Sequence, residues 1–313
     1  MVENIVGEKI LVTGGTGFLG RYVVERLISE GFTPTVLTRN PQTKNYENVK
    51  GKIHFAAIDL LDSSSVKSFI EKFRPDQIVH LAGYTYPTSE QPDILENFNY
   101  KATAHLLELA SRVNVKRFIL TGTADEYGFQ SAPQIETMAA MPVSDYAVSK
   151  NKAVEYALSL CENGDLPVVI VRPFTVYGIG QPARMFVSQA VKCAVKRTPF
   201  EMSPGKQKRD LLFVTDFVNA IIKLLAADNT VGEIYNVGSG ETIALVNLAE
   251  KIWEIAGADI ELLRIGARPT NENELHDTHA DVSKITRTLG WKPTVSLDEG
   301  LRLVIENAFK DLK

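Results

Sequence analysis

Apolar and polar positions follow two alternating patterns along the first half of the chain. Short runs of apolar, often β-branched residues, such as Lys9–Thr13, precede segments in which apolar residues recur at helical spacing, such as Gly17–Glu30. The runs predict buried strands, and the recurrent spacing predicts helices with one apolar face. The predicted strands are 9–13, 35–38, 53–58, 77–81, 117–121 and 168–172, and the predicted helices are 17–30, 62–73, 94–113 and 144–161. Strands that alternate with helices are typical of an α/β protein with a doubly wound parallel sheet.

The pattern changes after Pro173, where glycine and proline become frequent. Helices are predicted at 182–196 and 215–227, short strands near 200 and at 211–213, and a loop at 266–279 among further helices. We interpret these segments as a smaller, discontinuous α/β domain. The predicted boundaries are 1–177 plus 211–237 for the domain of the large sheet, and 178–210 plus 238–313 for the smaller domain.

Composition narrows the class of protein. The chain has 313 residues, of which 44% are hydrophobic and 23% charged, so it is neither collagen-like nor disordered. Its two cysteines, Cys161 and Cys193, form no CxxC pair, which excludes a zinc ribbon or a disulfide scaffold. A net charge of −4 does not favour nucleic-acid binding. We found no signal peptide and no apolar run long enough for a membrane, so we expect a cytoplasmic protein.

The first predicted strand ends in a glycine-rich turn that opens the next helix. Gly14, Gly17 and Gly20 follow a GxxGxxG spacing. The first glycine permits a sharp turn, the second lets a pyrophosphate approach the backbone, and the third lets the helix pack against the strand. Because a helix N-terminus also attracts phosphate, this segment predicts a dinucleotide-binding, Rossmann-type domain. A purely structural glycine turn is the alternative.

The end of the second predicted strand carries Arg39 where an NAD-preferring domain has an acidic residue. A carboxylate there would repel a 2′-phosphate, whereas a guanidinium pairs with one. Arg39 therefore favours NADP(H), although NAD(H) stays open and a solvated loop arginine is the alternative.

Tyr146 and Lys150 lie one helical turn apart on a predicted helix. A nearby ammonium favours the phenolate, so Tyr146 is a candidate acid and base for the interconversion of a ketone and an alcohol. Thr123 follows the fifth predicted strand, where a hydroxyl faces the cofactor crevice and can donate to the same substrate oxygen. The spacing Tyr-x-x-x-Lys often occurs by chance in helices. Here its position after the fifth predicted strand favours a catalytic role.

These motifs together resemble the extended short-chain dehydrogenase/reductase family, and best its nucleotide-sugar-modifying branch. The resemblance covers nearly the whole chain. Further matching segments are Asp59-Leu60, His80–Gly83, Asn99, Arg172–Gly178, Gly205–Asp216, Tyr235–Gly238 and Asp281–Trp291.

The resemblance implies a set of site residues and no metal. Thr123, Tyr146 and Lys150 would be the catalytic triad, and Lys150 would also hold the nicotinamide ribose. Implied cofactor-binding residues are Gly14, Thr16, Gly17, Phe18, Leu19, Arg39, Asp59, Leu60, Leu81, Ala82, Gly83, Tyr146, Lys150, Pro173 and Val176. Implied contacts to a nucleotide-diphosphate sugar are Tyr84, Thr123, Asp125, Thr175, Gln181, Arg184, Gln207, Arg209 and Arg268, with Tyr86 also near the hexose. Thr175 stands where many relatives carry asparagine.

The resemblance also implies a homodimer through helices 94–113 and 144–161. In the family these two helices pair with their copies. Both carry apolar positions beyond a single stripe, namely Leu106, Leu107, Leu109, Val154, Leu158 and Leu160.

Three reactions share this scaffold. Family dehydratases carry an Asp-Glu or Ser-Glu pair directly after the threonine, and Ala124-Asp125 stands there instead, which argues against dehydration. An epimerase retains its cofactor, usually NAD, whereas a net reductase consumes NADPH. Arg39 and the segment Met202–Asp210, which resembles reductases of 4-keto-6-deoxyhexoses, favour an NADPH-dependent reductase that delivers hydride to C4 while Tyr146 gives the proton. An NAD(P)-dependent nucleotide-sugar 4-epimerase is the main alternative, and a non-catalytic NADP-binding regulator is the other.

Overall fold

The computed structural model describes residues 5–41, 46, 51–85, 93–270 and 274–312. The strands of this part of the chain are β1 (Ile10–Thr13), β2 (Thr35–Thr38), β3 (His54–Ala57), β4 (Gln77–His80), β5 (Arg117–Thr121), β6 (Val168–Pro173), β7 (Thr175–Tyr177), β8 (Phe200–Met202), β9 (Lys208–Arg209), β10 (Leu211–Phe213), β11 (Ile234–Val237), β12 (Ile243–Ala244), β13 (Leu263–Ile265) and β14 (Asp277–Thr278).

The α-helices of the described residues are α1 (Phe18–Ser29), α2 (Ser63–Phe73), α3 (Thr103–Arg112), α4 (Asp145–Glu162), α5 (Phe186–Lys196), α6 (Val214–Ala226), α7 (Leu245–Ala256), α8 (Ser283–Leu289) and α9 (Leu297–Lys310). A π-helix, Leu95–Ala102, runs directly into α3, so the predicted helix 94–113 has two parts. Three side chains cap α-helix N-termini in the described chain: Asp62 accepts from the Ser65 amide on α2, Ser144 from the Ala147 amide on α4, and Ser296 from the Glu299 amide on α9.

Seven parallel strands of the described chain form the central sheet, in the order β11-β6-β5-β4-β1-β2-β3. Successive residues of a strand face opposite sides of a sheet. Val12 and Val169 accordingly pack with α1 and α6, whereas Leu11 and Ile170 pack with α2, α3 and α4. Helices therefore cover both faces, and the predicted doubly wound α/β fold is confirmed.

A second group of elements lies beyond the carboxyl end of β6. β7 pairs with β10, β8 pairs with β13, and β9 pairs with β12 and β14. Helices α5, α7 and α9 share one apolar cluster around the buried Trp253. The chain returns to the central sheet as β11 after α6. The exact division into two domains stays a prediction.

The helices predicted to dimerise bury their extra apolar side chains within the protomer. Leu106, Leu107, Leu109 and Val154 have at most 1% of their surface exposed, and Leu158 and Leu160 pack against the same core. Their outward faces carry ion pairs such as Lys152–Glu96. The extra apolar positions are therefore explained by the core, and the homodimer stays a prediction. No helix in the described part of the chain has the length and apolar character that a membrane crossing needs.

Candidate active site

The glycine-rich turn forms a cradle that leaves no room for side chains. Gly14 has φ of +69°, and a Cβ there would lie 2.6 Å from the Ala82 amide nitrogen. A Cβ on Gly17 would lie 3.2 Å from the Gly14 carbonyl oxygen, and one on Gly20 would collide with the same oxygen. No side chain caps the N-terminus of α1. A bare helix N-terminus behind a close backbone turn fits the pyrophosphate of a dinucleotide.

A cleft of about 730 Å³ lies beside this turn. It brings together many of the predicted cofactor-binding residues, namely Gly14, Thr16, Gly17, Arg39, Leu60, Leu81, Ala82 and Gly83. A second cavity of about 800 Å³ continues from it and is lined by Phe18, Leu19, Pro173 and Val176. The two cavities share Gly14, Gly17, Leu81, Gly83, Thr85 and Arg184, so one continuous channel passes the glycine turn.

The end of β2 presents a guanidinium to the smaller cleft. Arg39 lines this cleft, and its Nη2 donates to the Tyr84 hydroxyl at 2.9 Å. Its Nη1 lies 4.0 Å from a carboxylate oxygen of Asp59. Asp59, which the sequence predicts to bind the cofactor, is not among the residues that line the cleft. The Thr38 hydroxyl, in the position before Arg39, lies 3.3 Å from the Thr16 hydroxyl. The strand end therefore offers hydroxyl and guanidinium groups to a cofactor.

Thr123 and Tyr146 line the larger cavity. Thr123 caps the short 3₁₀ helix Ala124–Tyr127, and its amide donates to Glu126 Oε1 at 2.8 Å. Tyr146 stands in the first turn of α4 and is half-buried. A hydroxyl and a phenol that face one cavity can orient and protonate a developing alkoxide.

Lys150 lies one turn after Tyr146 and is buried. Burial lowers the pKa of its ammonium to about 8, and the nearby Glu126 carboxylate opposes that shift. A Cβ built on Gly83 would lie 3.9 Å from the Lys150 Nζ, so the ammonium sits behind the loop that follows β4. A lysine so placed supplies positive charge close to the phenol of the same helix face.

Asn99 connects the loop after β4 to α4, the helix that carries Tyr146. Its side chain accepts from the Tyr84 amide and donates to the Tyr84 carbonyl, both at 2.8 Å, and donates to the Ser149 hydroxyl at 3.1 Å. Ser149 in turn donates to the Tyr146 carbonyl oxygen. This places Tyr84 on the smaller cleft, where it lines the wall, and not among the residues that line the larger cavity.

The larger cavity collects five further residues that the sequence predicts for sugar-nucleotide binding: Asp125, Thr175, Gln181, Arg184 and Arg209. Burial raises the pKa of the Asp125 carboxyl, and the positive charge of Arg209 opposes this. Gln207 and Arg268 are not among the residues that line this cavity. Arg268 is exposed, and its backbone amide donates to the Met202 carbonyl. Tyr86 lies outside the described residues.

Glu274 is a site residue that the sequence did not reveal. Its carboxylate pairs with Arg209 Nη2 at 2.7 Å and accepts from Gln207 Nε2 at 3.0 Å. It also lines the larger cavity. Arg209 and Gln207, which the sequence predicts to bind a diphosphate, are therefore bound by the Glu274 carboxylate in this structure. Nothing in the local pattern around Glu274 indicates this, because its partners lie on a distant segment of the chain.

A model of the NAD dependent epimerase/dehydratase family matches residues 10–238, which is more than half of the chain. The chain belongs to this family. The predicted placement among the nucleotide-sugar-modifying extended short-chain dehydrogenases/reductases is thereby confirmed, and so is the prediction of an oxidoreductase-type enzyme.

Similar proteins in this family differ in the reaction that their names describe. UDP-glucuronic acid decarboxylase 2 of Arabidopsis thaliana is 30% identical over 96% of this chain and 68% of that protein. A dTDP-6-deoxy-L-talose 4-dehydrogenase (NAD(P)(+)) of Kitasatospora kifunensis is 28% identical over 94% of this chain and 93% of that protein. The crystal structure of a UDP-glucose 4-epimerase with UDP-glucose from Thermotoga maritima has a TM-score of 0.89 at 28% identity, and covers 97% of this chain and 100% of that one. Membership of the family therefore does not identify the reaction of this chain, which has to be inferred from the residues of its site.

Proposed function

We propose that this chain is an NADP(H)-dependent reductase that acts on the C4 ketone of a nucleotide-linked 4-keto-6-deoxyhexose. The observation that carries the proposal is Arg39, which places a guanidinium in the cofactor cleft at the end of β2. A 2′-phosphate gains a charge-assisted pair there, whereas an enzyme that prefers NAD carries a carboxylate at this strand end. The name of a similar 4-dehydrogenase gives NAD(P)(+), so use of NADP(H) is compatible with a reaction at C4 in a relative of this chain.

The residues of the channel divide the work. The glycine turn and the N-terminus of α1 would hold the pyrophosphate, and Pro173 and Val176, which line the larger cavity, would border the nicotinamide. When bound, the cofactor supplies the hydride. Tyr146 gives the proton to the forming alkoxide, and Thr123 holds the same oxygen through its hydroxyl.

Lys150 keeps the tyrosine effective. Because the pKa of its buried ammonium is about 8, the side chain is mostly charged at neutral pH. This charge stabilises the phenolate that remains after proton transfer, which lowers the cost of the step.

The substrate end would receive a nucleotide-diphosphate sugar. Arg184 lines both cavities and so lies where cofactor and substrate would approach each other. Arg209 and Gln207 would bind the diphosphate after their contacts to Glu274 break, since planar donor groups suit phosphate oxygens. A homodimer in the cytoplasm remains our prediction for the assembled enzyme.

A nucleotide-sugar 4-epimerase is the second candidate, and a specific finding favours it. The similarity to a UDP-glucose 4-epimerase extends over nearly the whole chain at a TM-score of 0.89. The same three groups can remove and return a proton at a C4 oxygen, so the triad is compatible with either outcome. A retained cofactor, and no net consumption of NADPH, would mark the epimerase.

The test is a cofactor-consumption assay with the purified protein. With dTDP-, CDP- or GDP-linked 4-keto-6-deoxyhexose, we expect loss of NADPH absorbance and a slower loss with NADH. Tyr146→Phe should reduce turnover roughly 100-fold or more and leave NADPH binding intact. Interconversion of UDP-sugars with catalytic NAD, without consumption of NADPH on any ketosugar, would establish the epimerase instead. An undiminished rate for the Tyr146 variant would contradict both enzyme mechanisms.

A further inference from the structure

We propose that Tyr84 and Arg39 together form a subsite for the 2′-phosphate of NADP(H), and that Tyr84 is a determinant of the preference for NADP(H) over NAD(H). The inference rests on the NADP(H) preference proposed above and names a residue that enforces it.

The contact between the two side chains gives the arginine a defined position. Arg39 Nη2 donates to the Tyr84 hydroxyl at 2.9 Å, and the guanidinium carbon lies 5.8 Å from the centre of the tyrosine ring. The Arg39 side chain is 54% exposed, so without a partner it would sample many rotamers. Ordering such a side chain opposes ligand binding, and a partner that orders it beforehand reduces that loss.

Two residues hold Tyr84 in place, one at its backbone and one at its ring. The Asn99 side chain binds both its backbone amide and its backbone carbonyl, each at 2.8 Å. The Phe98 ring meets its ring edge to face, with 5.0 Å between the ring centres and an angle of 73°. Both partners belong to the π-helix Leu95–Ala102. The backbone and the ring of Tyr84 are therefore positioned by the fold, and the ring directs the hydroxyl towards Arg39.

Arg39 and Tyr84 keep hydrogen-bond donors that a phosphate could use. Because the Tyr84 oxygen accepts from Arg39, its own O–H stays available to donate. The guanidinium keeps further N–H groups, and a phosphate monoester offers three acceptor oxygens. Asp59 approaches the Nη1 end of the guanidinium, at 4.0 Å. Asp59 thus lies on the Nη1 side, whereas Nη2 and the tyrosine hydroxyl together offer donors to a phosphate.

The position of Tyr84 in the channel agrees with a cofactor role. Together with Arg39, Thr16 and Thr38 it lines the cleft beside the glycine turn. The larger cavity, which holds Thr123 and Tyr146, does not include it among its lining residues. This position favours a contact of Tyr84 at the adenosine end over the hexose contact that the sequence suggests.

The experiment compares two probes that differ only in the 2′-phosphate. Adenosine 2′,5′-bisphosphate and 5′-AMP are titrated into the full chain by calorimetry. We expect Tyr84→Phe to weaken binding of the bisphosphate roughly 3- to 10-fold and binding of 5′-AMP less than about 2-fold. The matched control is Tyr156→Phe, which removes a hydroxyl that donates to Glu108 at 2.9 Å and lies outside both cavities. The control should bind both probes as the parent chain does.

A double-mutant cycle tests whether the two residues act as one subsite. Arg39→Met should weaken bisphosphate binding roughly 10- to 100-fold, and Tyr84→Phe added to it should cost less than about 2-fold more. Full additivity would overturn the shared subsite.

Two other outcomes separate the inference from the function that it builds on. If the parent chain binds both probes equally, the NADP(H) preference fails and the inference falls with it. If the parent chain prefers the bisphosphate but Tyr84→Phe changes neither affinity, or weakens both probes alike through lost contact with adenine, only the inference is overturned.

Discussion

Lys150 carries a buried ammonium group, and its burial disfavours the charged form. Its ammonium has no ion-pair partner within 4.0 Å among the described residues, and Glu126 only partly offsets the loss of water. Burial lowers the pKa from 10.5 to about 8. The charged form is thus disfavoured by the fold, yet it is the form that our proposed mechanism requires beside Tyr146.

Lys150→Met should therefore stabilise the fold while abolishing most activity. Below pH 8 the lysine is charged in both the folded and the unfolded chain, and the folded chain bears the whole cost, roughly 3 kcal/mol. As the pH rises from 8 towards 10.5 the folded chain releases the proton and the cost fades. Urea unfolding should show the variant more stable than the parent at pH 7, with the difference shrinking above pH 8. Lys152→Met, an exposed change on the same helix, should show no such trend.

At the scale of elements, buried polar groups bind neighbouring strands to one another beneath the site. Glu126 receives the Thr123 amide through Oε1 and pairs with Arg172 Nε at 2.8 Å through Oε2. Arg172 belongs to β6, so the pair connects this strand to the turn that carries Thr123. Both partners are almost completely buried, which makes the loss of either one costly. The Glu126 carboxylate thus fixes the backbone of Thr123, whose hydroxyl we propose to be catalytic.

His80 joins three elements in the same manner. Its Nδ1 lies 2.8 Å from the Thr13 hydroxyl on β1, and its Nε2 lies 3.0 Å from the Thr103 hydroxyl on α3. Burial and the charge of Lys150 lower its pKa to about 3. The ring is therefore neutral across the pH range in which an ordinary histidine becomes charged.

This predicts a specific loss of stability in acid. Below pH 6.5 the unfolded chain takes up a proton on His80 that the folded chain does not, so the free energy of unfolding falls as the pH is lowered. Between pH 7 and pH 5 the residue should account for about 2 kcal/mol of the loss. His80→Gln should be less stable at pH 7 but lose less between the two pH values. Denaturation curves at both pH values, with the exposed His54→Gln as control, measure the difference.

At the scale of the whole molecule, one buried carboxylate fastens the C-terminal segment to the rest of the chain. Asp216, at the start of α6, accepts from the Thr294 hydroxyl at 2.6 Å and from the amides of Thr294 and Val295 at 3.0 and 2.9 Å. Its carbonyl oxygen accepts from the Trp291 indole. The segment that leads into α9 is thus held against the helix that returns the chain to the central sheet.

Asp216→Ala should release that segment. The amides of Thr294 and Val295 and the Thr294 hydroxyl, which are at most partly buried, would lose the carboxylate of the buried Asp216 as acceptor, which should cost about 1.5–3 kcal/mol of stability. Limited proteolysis should then cut first between Trp291 and Leu297, before the central sheet is attacked. Asp298→Ala removes an exposed carboxylate that pairs with Lys251, and it should leave the proteolysis pattern unchanged. Equal resistance of both variants would contradict the fastening role.

Local pattern predicted six of the seven strands of the central sheet in the described chain, and the glycine turn after β1; the edge strand β11 was not predicted as a strand. Strands such as Thr35–Thr38 and helices such as Ser63–Phe73 follow from local periodicity and caps, because each pattern lies within a few neighbouring residues. The glycine turn and the spacing of Tyr146 and Lys150 are local in the same sense, so their use could be predicted before the fold was known.

Contacts between groups that are far apart in the sequence could not be predicted before the fold was known. Glu274 binds Arg209 from 65 residues away, and Tyr84 binds Arg39 from 45 residues away. The tertiary structure also shows that Leu106 and Leu107 serve the protomer core, although their pattern alone was equally compatible with a dimer face. Hydrogen bonds and ion pairs form between groups that the folded backbone brings within about 3 Å, and no local periodicity records such encounters.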